Sequence, residues 1–126
     1  MSAFLHAPPT LSPAELEGLA RDRFGVSGQA RALQSERDQN ARIRAPGGTY
    51  VLKIANQGED PAQIALQNAT LAHLERAGVA GLPRLVRTTD GADCADVQQN
   101  GQTSLVRLVT WIDGRPMSET PRTLAQ

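Results

Sequence analysis

A chain of 126 residues, 40% hydrophobic and 21% charged, fits one small folded domain and excludes an intrinsically disordered polypeptide. Thirteen Lys plus Arg balance thirteen Asp plus Glu, so no electrostatic pull toward nucleic acid or an anionic membrane is expected, and 3% aromatics argue against a base-stacking surface. A single cysteine, Cys94, excludes an intrachain disulfide framework; a reducing, cytoplasmic setting and a passive surface thiol are expected.

Residues 1–11 contain Pro8 and Pro9 and read as a loose leader. They lack the basic start and apolar run of a secretory signal, and no stretch of the chain reaches membrane-spanning length. Ser12-Pro13-Ala14-Glu15 starts a helix: Ser12 caps it, Pro13 takes the first turn and Glu15 completes a capping box. Leu16, Leu19, Ala20 and Phe24 form its apolar stripe, and Gly25 ends it. So short a helix reads as an appendage to the main sheet.

Residues 29–35 and 38–45 are strand candidates, the second alternating Ala41 and Ile43 with Arg42 and Arg44. Ala45-Pro46-Gly47-Gly48 turns the chain into the strongest strand, 49–56. There Tyr50, Leu52 and Ile54 share one face, and Val51, Lys53 and Ala55 the other. Lys53 is the unusual residue. A lysine stem among apolar neighbours makes sense if its ammonium meets an anion; the plainer reading is an edge strand whose charge deters sheet-to-sheet pairing.

Asp60 caps the main helix, with Pro61 in the first turn, Gln63 placed for a capping box and Gly78 at the end. Ile64, Gln67, Leu71 and Leu74 fall on one narrow face, which puts the Gln67 amide in the apolar stripe. A core-facing amide needs a partner, either functional or simply backbone at the sheet rim. Residues 84–89 read as a fourth strand, 90–102 as a polar connection and 103–112 as a fifth strand. The expected fold is α+β: a five-stranded antiparallel sheet with one main packed helix and a short N-terminal one.

Four segments then carry a resemblance: 35–40 (Ser-Glu-Arg-Asp-Gln-Asn), Tyr50-Val51-Leu52-Lys53-Ile54, the helix around Leu66-Gln67-Asn68, and 105–116 ending in Trp111-Ile112-Asp113-Gly114-Arg115-Pro116. In their order, over about residues 12–118, they resemble the N-terminal lobe of aminoglycoside-phosphotransferase-like kinases. The likeness is greatest to the hydroxylysine-kinase-like, homoserine-kinase-type group. Lobes of that group also occur ahead of class III, pyridoxal-phosphate-dependent aminotransferase-like domains.

The resemblance implies an ATP- or GTP-dependent small-molecule phosphotransferase that uses Mg²⁺. Lys53 would contact the nucleotide's α/β-phosphates, as a point cation that offsets phosphate charge. Its usual partner in this fold is a glutamate on the following helix, where this chain has Gln67. The phosphate-covering turn maps to 35–41; it contains no glycine, so Ser35, Gln39 and Asn40 would donate instead of backbone. Thr110, Trp111 and Ile112 match the hinge that bonds adenine, with Trp111 packing beneath it or stacking on the base. The base and metal ligands of such kinases lie in a C-terminal lobe, so no catalytic or metal-binding residue is expected in this chain. The expectation is thus a nucleotide-binding lobe, inactive alone, whose partner is a missing C-terminal lobe beginning after 119–126. The segment from Val109 to Met117 would be bared and prone to self-association. The alternative is a non-catalytic kinase-like docking module, and a further one an unrelated α+β interaction domain.

Overall fold

The computed structural model describes residues 11–34, 38–56, 60–99 and 101–112. In chain order they form helix α1 (Pro13–Phe24), strands β1 (Gln29–Leu33), β2 (Gln39–Ala45) and β3 (Gly48–Ile54), helix α2 (Pro61–Arg76), and strands β4 (Leu85–Val86), β5 (Ala95–Gln99) and β6 (Gln102–Thr110). Every strand pair is antiparallel. The sheet runs β1-β2-β3-β6-β4, and β5 pairs with the same edge of β6 as β4, further along the strand. The α+β architecture is the expected one, with a sixth strand in the segment read as a polar connection.

That strand has a plain cause. Ala95-Asp96-Val97-Gln98-Gln99 has few apolar residues, but β6 offers it a backbone ladder from Ala95↔Val106 to Gln99↔Gln102. Conversely, the strand expected at 84–89 shrinks to two residues. The Thr88 amide turns to the Ala92 carbonyl (2.8 Å) and the Thr89 amide to the Arg23 carbonyl (2.9 Å), which removes both from the sheet.

Helix α1 begins as its sequence dictates. The Ser12 hydroxyl accepts from the Glu15 amide (3.1 Å), and the Glu15 carboxylate accepts from the Ser12 amide (2.9 Å), a complete capping box. Gly25 closes it in the left-handed conformation (φ 71°). On α2, Asp60 accepts from the Ala62 amide (3.0 Å), but the return bond expected from Gln63 does not form.

The apolar core lies under α1. Leu16, Ala20 and Phe24 pack on Ala41, Ile43, Leu52, Ile54, Val106 and Leu108, all buried. The N-terminal helix is therefore the main cover of one sheet face, which corrects its reading as an appendage. The opposite face carries α2, of which only Ile64 and Asn68 are buried. The stripe is turned from its expected position: Asn68, not Gln67, points inward, and Gln67 is exposed. Val109, expected to be bared, is buried at 2% exposure, while Trp111 and Ile112 are half-buried; residues 113–118 lie outside the described residues. No helix among the described residues is long and apolar enough to cross a membrane.

Gly28 shows how tightly β1 meets β2. A Cβ there would lie 2.3 Å from the Arg44 carbonyl oxygen and 2.7 Å from its carbon, both backbone atoms that cannot yield cheaply. Gly28→Ala is expected to destabilise by about 1–3 kcal/mol, the usual cost of overpacking. A shift of the urea midpoint measures it, and an unchanged midpoint would show that the β1 edge relaxes freely.

Candidate functional site

Residues paired directly across an antiparallel sheet project to the same face. One such row is Asn40 on β2, Lys53 on β3 and Arg107 on β6. The next row is Arg42, Val51 and Val109. Both rows face α2, because the alternate residues of these strands fill the core under α1. The α2 face of the sheet is therefore cationic at its centre.

Two clefts flank Lys53. One of about 390 Å³ runs between α2 and the sheet and is walled mainly by Leu66, Leu71, Pro83 and Val109, with Lys53, Gln67 and Arg107 at its polar end. The other, about 230 Å³, opens toward Asp38 and Ala55 and shares Lys53, Gln67 and Arg107 with the first. The larger lies in the size range of small-molecule sites. Lys53 is half-buried and is the sole lysine of the sequence. Burial pushes its ammonium below the ordinary lysine range; the Arg107 charge adds to this and Asp38 opposes it. Among the described residues no carboxylate forms an ion pair with Lys53.

Gln67 lines both clefts with Lys53, yet the side chain it bonds is Arg107. The Arg107 Nη2 donates to Gln67 Oε1 (2.5 Å) and Nη1 to Asn68 Oδ1 (2.9 Å). Asn68 Nδ2 in turn donates to Cys94 Sγ (3.0 Å). Cys94 is thus half-buried with a defined neighbour, in place of the surface thiol expected. Sequence reasoning missed Arg107 and Asn68. The available signal was register: only once β6 is laid beside β3 does an arginine stand opposite the lysine.

The remaining expected site residues divide by face. Asn40 lies beside Lys53, and its Oδ1 is buried with no hydrogen-bond partner among the described residues. Arg42 Nε, in the adjacent row, is likewise buried and unpartnered, and the Arg42 guanidinium lies over the Trp111 ring at 5.7 Å. A buried acceptor and a buried donor left open on one face are what a polar ligand would complete. Gln39 is on the other face, opposite Ile54. Its amide is used twice on the Leu11 backbone (2.8 Å each way), so it ties down the start of α1 and does not reach the Lys53 side. Its assignment as a phosphate donor is corrected accordingly. Ser35 lies outside the described residues. Thr110 ends β6 and Trp111 follows it, and their amides are given to the Arg84 carbonyl (2.9 Å) and the Thr49 carbonyl (3.0 Å). Ile112 follows, half-buried. No cluster able to hold a metal ion occurs among the described residues.

Comparison with known proteins agrees with this fold. A mouse (Mus musculus) hydroxylysine kinase is 30% identical over 90% of this chain and 34% of its own length. A microcompartment-associated aminopropanol kinase superposes with a TM-score of 0.68 at 17% identity, covering 86% of this chain and 34% of that one. A spectinomycin phosphotransferase, solved with ADP and spectinomycin, gives 0.65 at 14% identity, covering 85% and 31%. An amicoumacin kinase, solved with AMP-PNP, Ca²⁺ and Ami, gives 0.66 at 15%, covering 86% and 34%. The chain spans about a third of the length of each. Residues 29–126 match the family described as phosphotransferase enzymes, and with most of its length inside that match the chain belongs to this family, APH.

Proposed function

We propose that this chain is the nucleotide-binding lobe of an ATP- or GTP-dependent small-molecule phosphotransferase, with a hydroxyl of an amino alcohol, amino acid or aminoglycoside-like compound as acceptor. The observation that carries the reading is Lys53: a half-buried cation between Asn40 and Arg107, facing a cleft and paired with no carboxylate among the described residues. A phosphate is the anion that such a group lacks. Asn40 and Arg42 present an open acceptor and an open donor beside it, and Trp111 offers an aromatic face under Arg42. These residues fit a nucleotide. Mg²⁺, when bound, would travel with the phosphates and neutralise charge that develops on them. The base and metal ligands belong, on this reading, to a further lobe.

Cytoplasmic nucleotide pools suit such a lobe, and an aminotransferase-like domain beyond the kinase lobes would extend the same reading; the gene sequence after residue 126 tests that extension. The chain alone holds one wall of a two-walled site, so it is expected to bind magnesium–ATP weakly, at about millimolar Kd, and to transfer no phosphoryl group. NMR titration with ATP and GTP tests the first point, with amide shifts expected around Lys53, Asn40 and Trp111. Shifts confined to residues under α1, or robust phosphoryl transfer by the purified 126-residue chain, would overturn the reading.

A further inference from the structure

In this chain the bond between helix and sheet beside Lys53 is made by Arg107. The geometry explains why an arginine is there. Its two Nη atoms reach the side-chain oxygens of two successive α2 residues, Gln67 and Asn68. A planar guanidinium spans two acceptors in this way, whereas a single ammonium nitrogen has no fixed fork. The Asn68 amide is held from its other end by Cys94, so its oxygen is oriented toward Arg107. The chain of contacts joins the entry of β5, the inner face of α2 and the centre of β6. Both helix acceptors are neutral. The one acidic residue of α2, Glu75, lies toward Arg84 at 3.9 Å, so the helix offers Lys53 no carboxylate.

We propose that Arg107 is a positioning residue of the phosphate site: its fork on Gln67 and Asn68 docks α2 on the sheet and leaves the Lys53 ammonium to the phosphate instead of the helix. This rests on the nucleotide reading above. It also gives Gln67 a physical reason. A carboxylate at that position would draw on both neighbouring cations and compete with phosphate for Lys53. The amide anchors Arg107 without that competition. The same guanidinium, one strand away, raises the electrostatic cost of an unoccupied Lys53 ammonium, a cost that an arriving polyphosphate relieves.

The sole lysine makes the test direct, because selective ¹³C,¹⁵N-lysine labelling of the 126-residue chain reports Lys53 through a single side-chain signal. Wild type, Gln67→Glu and Arg107→Gln are titrated with magnesium–ATP and with inorganic triphosphate, and the Lys53 pKa is followed in each. Urea midpoints are measured in parallel. Gln67 is exposed, so Gln67→Glu is expected to keep the fold, to raise the Lys53 pKa and to weaken triphosphate binding about tenfold, the scale of one charge-assisted hydrogen bond. Arg107→Gln is expected to weaken binding at least as much. Unchanged or tighter binding by folded Gln67→Glu, with the Lys53 pKa unmoved, overturns the role of Arg107 while leaving the nucleotide reading intact. A wild-type Lys53 signal that ignores both ligands overturns the two together.

Discussion

Truncating Leu16 to alanine is expected to cost about 2–5 kcal/mol, the range for deleting a fully buried leucine. The side chain is 2% exposed and sits in the cluster that joins α1 to the sheet. A small domain is stable by roughly 5–15 kcal/mol, so this one change removes a large share of the total. Leu71 on α2 is the control. It is half-buried beside an open cleft, and its truncation should cost less than half as much. Urea unfolding followed by circular dichroism separates them. Equal losses at the two sites would mean that α2 shares the core, contrary to the burial seen. The asymmetry bears on function as well. The face that packs tightly is the one away from Lys53, and the lightly packed face is the one with a cleft to fill.

Lys53→Met is expected to move activity and stability in opposite directions. In a protein that carries this lobe together with its catalytic partner lobe, turnover should fall about 10²–10³-fold, the scale for removing one preorganised electrostatic donor. In the 126-residue chain the same change should stabilise by roughly 0.5–2 kcal/mol, as is common when a strained functional residue is replaced. The physical cause is burial of the ammonium beside Arg107, which lowers the Lys53 pKa in the folded state. Between that lowered value and the ordinary 10.5 the unfolded chain binds more protons than the folded one, so wild-type stability rises with pH across this window. Below the folded value the cost of the buried charge is present in full. The methionine variant should lack the rise. Melting temperatures at neutral pH and near pH 10 measure both effects; a variant that melts lower than wild type at neutral pH would show that the Asp38 attraction outweighs burial.

The local chemistry of α1 and α2 is readable residue by residue, because caps act over three or four positions: Ser12 with Glu15, Gly25 at the close, Asp60 at the second start. The alternation of β2 and β3 likewise identifies which residues enter the core and places Lys53 on the other face. These signals depend on the chain's own next few residues, and they suffice for the α+β class and for the face of the sheet on which Lys53 stands. Partnership across the sheet is another matter. β5 exists because β6 supplies its ladder, Gln39 is spent on Leu11 because the residue just before α1 lies against it, and Arg107 stands opposite Lys53 only in the register that the assembled sheet adopts. A rotation of α2 by about one residue decides that Asn68 is buried and Gln67 exposed. No local pattern encodes that rotation, since a helix with a thin apolar stripe turns to whichever side chain the opposing sheet can satisfy, and here that surface carries an arginine.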